Sequence, residues 1–155
     1  MKTNQPLRKL WFIPLWFTAL CLLVTATVAE TSSQGSQQFE HFSVHYSILS
    51  STFLLPEVAK AYGIKRSKYE SLINISVAPN NQYGGISVNL SGTATNLMQQ
   101  QKSLDFIEIK EDKTVYYLAP IRVAGKELMH FVIEVKVPGQ PDTLTTKFST
   151  TLYAD

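Results

Sequence analysis

The histidines are the first residues of this chain that could do chemistry, because His41 and His45 stand four positions apart. On a helix that spacing lets two imidazoles share a metal ion. Around these two, however, apolar and polar residues alternate as in a strand. A strand would hold His41 and His45 roughly 13 Å apart at ~3.3 Å per residue, too far for joint ligation. The third histidine, His130, stands in another strand-like run, and the one cysteine, Cys21, lies in an apolar segment near the start. A metal site would have to gather histidines and carboxylates from separate strands, so neither a metal nor a cofactor is expected. No serine sits in a Gly-x-Ser-x-Gly setting, and Ser91-Gly92 reads as a strand end, so no catalytic residue is expected.

Two other groups of residues invite a binding role. Lys65-Arg66-Ser67-Lys68 places three positive charges in four positions. Such a run serves either as an anion or lipid-headgroup contact or as a solvated loop. The candidate residues for a small-molecule or enzymatic site are Tyr46, Ser51, Thr52, Tyr62 and Arg66, placed between a helix near 56–62 and a strand near 39–49. The seven tyrosines add amphipathic area suited to binding surfaces or to edge packing. In a strand, adjacent Tyr116 and Tyr117 must point to opposite faces.

The elements that must position these residues are mostly strands. Phe42, Val44, Tyr46 and Ile48 alternate with Ser43, His45 and Ser47. Ile73, Ile75 and Val77 alternate with Asn74, Ser76 and Ala78 until Pro79-Asn80-Asn81. Further runs cover 86–92, 104–109, 115–118, 129–137 and 144–152, with Lys110-Glu111-Asp112-Lys113 as a hairpin turn. The count is about seven strands with turn signals between them, which predicts an all-β fold, an immunoglobulin-like antiparallel β-sandwich. One short helix interrupts it near 56–62. Pro56 suits the first helical position, Glu57 the first turn, and Gly63 a left-handed cap with Ile64 folding back on the helix. Val58 and Tyr62 are expected to dock on the sandwich and close one of its ends.

The first thirty residues differ from the rest. Lys2, Arg8 and Lys9 precede an apolar run from Leu10 to Val24, then small residues to Ala29. This is the order of a cleavable export signal, with cleavage expected after Ala29. An uncleaved anchor is the alternative, but the run is shorter than the ~20 residues of a spanning helix and Pro14 interrupts it. Residues 1–29 are therefore read as signal, 30–38 as a flexible polar leader and 39–155 as one sandwich domain. Loss of the signal removes the sole cysteine, leaving a disulfide-free secreted domain. It also leaves eleven of the fourteen basic side chains against twelve acidic ones. A near-neutral domain lacks the field that a phosphate backbone requires, so no nucleic acid partner is expected.

Val44-His45-Tyr46-Ser47, Ser51-Thr52-Phe53-Leu54, Pro56 to Gly63, Asn74-Ile75-Ser76-Val77 and Ser91 to Leu97 occur here in that order. In this they resemble the DUF4426 family, small exported proteins of Gram-negative bacteria with no assigned function. The resemblance covers nearly all of the chain after the signal. It implies a periplasmic address and supplies no catalytic residues. Family members often carry Asn at the positions of Ser47 or Ser50. The function expected is that of a non-enzymatic binding or interaction domain with an envelope protein or peptide as partner, meeting the membrane only through the signal before cleavage. A small-molecule site by the 56–62 helix and an envelope assembly or chaperone-like role are the alternatives.

Overall fold

The computed structural model describes residues 34–154. Nine strands occur in the order β1 Gln34–Gln38, β2 Phe42–Ser50, β3 Glu70–Pro79, β4 Asn89–Asn96, β5 Gln101–Ser103, β6 Ile107–Glu111, β7 Thr114–Arg122, β8 Lys126–Lys136 and β9 Thr143–Tyr153. A 3-10 turn, Ser51–Phe53, and helix α1, Pro56–Ala61, lie between β2 and β3. The strands form two antiparallel sheets, ordered β1-β2-β3-β7-β6 and β5-β4-β8-β9. The chain crosses between the sheets after β3, β5 and β7. This is the antiparallel sandwich that the alternation predicts.

Period-two patterning puts one apolar row of each strand between the sheets. Val44 from β2, Ile73, Ile75 and Val77 from β3, and Tyr117, Ala119 and Ile121 from β7 face Ala94 from β4, Met129, Phe131, Ile133 and Val135 from β8, and Leu152 from β9. Burying each Ile or Phe contributes about 1.5–3 kcal/mol. An aromatic stack crosses the gap. Tyr46 lies parallel to Phe148 at 3.9 Å between centroids, and Phe148 stacks on Phe131 at 4.8 Å.

Two strands escape the sequence reading. β1, Gln-Gly-Ser-Gln-Gln, and β5, Gln-Lys-Ser, carry no apolar side chain, so no alternation announces them. The expected leader 30–38 is thus corrected: Gln34–Gln38 is an edge strand, paired along its length with Ser43–Ser47. Its placement depends on Gly35, which lies opposite Tyr46 and leaves the space that the tyrosine ring occupies; a Cβ there would collide with the Tyr46 hydroxyl. The expected signal, its cleavage after Ala29, Cys21 and residues 30–33 lie outside the described residues.

Helix α1 also differs from expectation. It spans Pro56–Ala61 with Tyr62 as its cap, and it lies on the outer face of the first sheet, not across an end. Ala59 and Ile64 are buried there with Leu72, Ile109 and Leu118, while Tyr62 and Tyr116 pack around them. The expected Val58 contact is replaced by Ala59, which lets the helix backbone approach the sheet. The cap itself is as predicted. Gly63 has φ of 66°, Gly63 N–H donates to Lys60 O at 3.3 Å and Ile64 N–H donates to Ala59 O at 2.8 Å. Those two bonds with a buried Ile64 make a Schellman cap.

The crossing from β3 to β4 is held by one side chain. Tyr117, buried in the core, accepts from Val88 N–H at 2.7 Å, and its single proton lies between Val88 O and a Glu108 carboxylate oxygen, each at 2.9 Å. Burial is the main cause raising the Tyr117 hydroxyl above its ordinary pKa of 10.0, with the Glu108 carboxylate adding to it against the lowering by Val88 N–H.

Two predictions follow from this construction. Gly63→Ala should cost roughly 1–2 kcal/mol in denaturant unfolding, because open space surrounds Gly63 and only its left-handed backbone resists a Cβ. An unchanged midpoint would refute the cap's contribution. Tyr117→Phe should cost about 1–3 kcal/mol by stranding the buried Val88 groups. Since the folded pKa is raised, the tyrosine's contribution is complete below pH 10 and is lost as pH climbs through the folded value. The stability of Tyr117→Phe should therefore fall less steeply between pH 10 and the folded value, and an identical slope across that interval would contradict the assignment.

Candidate functional site

One end of the sandwich concentrates the apolar residues that the core leaves out. β2 ends at Ser50 beside Ser71, and β7 ends at Arg122 beside Glu70. In the second sheet β4 ends at Asn96 beside Met129, and β8 begins at Lys126 beside Tyr153, the last residue of β9. Lys102 Nζ donates to Arg122 O at 3.1 Å, joining the two sheets at this end. Segments 51–69, 97–100 and 123–125 therefore lie at the same end of the sandwich. Among the described residues, every exposed large apolar side chain except Tyr83 belongs here: Phe53, Leu55, Tyr69, Leu97, Met98 and Tyr153.

Polar clamps beneath the surface hold these tips outward. Ser51, fully buried, donates through Oγ to Ser67 O at 3.0 Å and accepts from Ser67 N–H at 2.9 Å. Ser50 Oγ caps the 3-10 turn by accepting from Thr52 N–H. The turn then leaves Phe53 78% exposed and Leu55 60% exposed. Arg66 donates through Nη2 to Thr52 O at 2.9 Å, so a guanidinium sits at the base of the apolar tip. In the second loop Asn96 Oδ1 accepts from Met98 N–H at 3.0 Å and Gln100 N–H at 2.9 Å, and Gln99 takes φ of 62°. That tight turn pushes Leu97 and Met98 into solvent.

The same end is basic. Outside helix α1, whose Glu57 and Lys60 offset each other, Lys65, Arg66, Lys68, Lys102, Arg122 and Lys126 stand there against Glu70 and Glu127. Among the described residues the ion pairs are His41 with Glu40 and Lys110 with Glu108, so none of these six cations is neutralised by one. Lys68 lies 5.1 Å and Arg122 5.9 Å from the Tyr69 ring centre, and Lys126 lies 5.6 Å from that of Tyr153.

Of the sequence candidates, Ser51, Thr52 and Arg66 meet at this end. Ser51 is a structural clamp, Thr52 supplies a backbone carbonyl, and Arg66 is exposed. Tyr46 is elsewhere, turned into the core against Phe148, and Tyr62 packs beside α1. The five do not converge on one pocket. Tyr46 contributes instead to an open cleft of about 470 Å³ over β1, β2 and β3, lined also by Gln34, Ser36, His45, Ser47, Asn74 and Ser76. There Asn74 Nδ2 donates to Ser47 Oγ at 3.3 Å, and Asn74 Oδ1 is buried without a partner. A second cleft of about 410 Å³ runs beside Glu108, Lys110 and Tyr117. Hydrogen bonds from Lys110, then Ser87 and Tyr117, hold the Glu108 carboxyl below its ordinary pKa. His45 and His130 point outward from their strands, His130 Nδ1 lying 2.7 Å from Ser149 Oγ, and among the described residues no three His, Cys, Asp or Glu side chains gather as a metal site. Phe53 stands among the aromatic residues the sequence offers for a binding surface, whereas Leu55, Leu97 and Met98 follow no strand period; the mark they leave is apolar residues inside turn segments, where polar ones are the rule.

No curated protein matches the chain. Solved structures do. Uropathogenic Escherichia coli FetP, expressed in the periplasm, superposes with a TM-score of 0.58 at 10% identity, covering 78% of this chain and 94% of that one. A copper-bound variant of FetP superposes with a TM-score of 0.57 at 10% identity, over 79% of this chain and 91% of its own. At that identity the likeness concerns the fold. A DUF4426 family protein from Pseudomonas aeruginosa PAO1 superposes with a TM-score of 0.72 at 29% identity, covering 79% of this chain and 97% of that one. The family model for the domain of unknown function DUF4426 matches residues 36–155, and the chain belongs to that family.

Proposed function

We propose that the protein is a non-enzymatic interaction domain of the periplasm that works through its loop end. The observation that carries this reading is the segregation of exposed apolar side chains to one end, on turns held rigid by Ser51 and Asn96. Exposed apolar residues clustered within a basic rim are costly to leave in water and mark a contact surface. The periplasmic address draws on the export-signal pattern of residues 1–29 and on family membership. Among the described residues no helix is long and apolar enough to cross a membrane.

An assembly role through strand addition has one observation in its favour, the eleven-residue edge strand β9. Two features blunt that edge. Lys147 stands in its middle, and Gln37 Nε2 from β1 donates to Thr145 O at 3.5 Å. Charged side chains and covering contacts are how edge strands are kept from pairing, so the loop end is the better working surface.

Photocrosslinking amino acids at Phe53 and Met98 should give reproducible adducts in intact cells, whereas one at Tyr83, exposed at the opposite end, should not. Adducts arising only from Ser47 or Ser76, in the polar cleft, would replace this reading with a small-molecule site.

A further inference from the structure

We propose that the loop end docks the domain on an anionic lipid bilayer, with Phe53 and Leu55 entering the acyl boundary and the surrounding cations meeting lipid phosphates. This rests on the loop-end reading and names its partner. The first support is the mixture of side chains. Phe53 and Leu55 are exposed, the Arg66 guanidinium is fixed on the Thr52 carbonyl beside them, and exposed Tyr69 and Tyr153 each carry a lysine over the ring. Tyrosine and long cationic side chains occupy the headgroup level of a bilayer, while Phe and Leu sit deeper.

The second support is shape. Phe53 with Leu55, and Leu97 with Met98, project from separate turns in different sheets. A protein partner would need a matching concavity for each projection, whereas a fluid interface receives them without one. Charge is the third. Six cations against Glu70 and Glu127 give this end a positive field that the whole chain's balance conceals. Each Lys or Arg at an anionic surface raises partitioning by roughly fivefold.

The protein purified from the periplasm after export should float with vesicles of phosphatidylcholine plus phosphatidylglycerol, and far less with phosphatidylcholine alone. Added salt should release it. Phe53→Ser with Leu55→Ser should lower partitioning at least tenfold, because each substitution removes apolar area that would otherwise leave water. Lys65→Glu with Lys68→Glu should lower it by roughly fivefold or more per position. These side chains are exposed, so thermal unfolding should be unchanged, and Tyr83→Ser should bind as the parent does. Absence of binding to the anionic vesicles, or binding indifferent to both double variants, overturns the proposal. Protein adducts at Phe53 and Met98 without vesicle binding would overturn the lipid assignment and leave the interaction reading standing; neither adducts nor vesicle binding would overturn both.

Discussion

The arrangement depends on β3 being buried on both faces. Ile73, Ile75 and Val77 fill the space between the sheets, while Leu72, one residue out of phase, is equally inaccessible on the outer face beneath α1. A strand that is apolar only on its inner side would leave segment 51–69 without an anchor. Leu72, Leu118 and Ile109 supply an outer patch, and Ala59 and Ile64 cover it. Helix α1 is too short to persist in water without such a surface. The Schellman cap then reverses the chain at Gly63 and returns it toward Ser67, where the Ser51 hydroxyl bonds both the N–H and the C=O.

This anchoring explains how apolar residues can stand in solvent without collapsing onto the core. Leu54 packs against the outer cluster, while Phe53 and Leu55 on either side of it cannot follow because the 3-10 turn fixes their direction. Asn96 does the same for Leu97 and Met98, with its own side chain in the place of a backbone hydrogen-bond partner. Two unrelated local devices give the same result at neighbouring loops. Exposure at both is therefore a property of the turns and not a failure of packing.

Much of the fold was legible in the residues because its strands are half-buried. Rows such as Ile73-Ile75-Val77 and Met129-Phe131-Ile133-Val135 announce themselves by period two. β1 and β5 did not, since edge strands made of Gln, Ser and Lys bury only backbone hydrogen bonds and the ring of a neighbour such as Tyr46. The helix was legible from Pro56, Glu57 and Gly63, but its location was not. Local caps define where a helix starts and stops, whereas Leu72 and Leu118 had to be known as outward-facing before the docking surface could be placed. The candidate site was half legible. Ser51, Thr52 and Arg66 do come together, but Tyr46, back on β2, points between the sheets to Phe148, and Tyr62 serves the helix. Proximity in sequence placed the five together where strand pleat separates them.

Net charge illustrates what summation hides. The near-neutral balance left after the leader argued against a phosphate-backbone partner, yet six cations gather at one end of the described domain. Charge alone would now admit any polyanion at that end. The apolar tips separate the possibilities, because a nucleic acid backbone offers hydrated phosphates and no apolar volume to Phe53, Leu55 or Met98. A bilayer offers phosphates and hydrocarbon within a few ångströms of each other, and Arg66, Tyr69 and Phe53 bring a cation, an amphipathic ring and an apolar ring to one end of the sandwich. The local grouping of charged, amphipathic and apolar side chains therefore carries more information about the partner than the total charge of the chain.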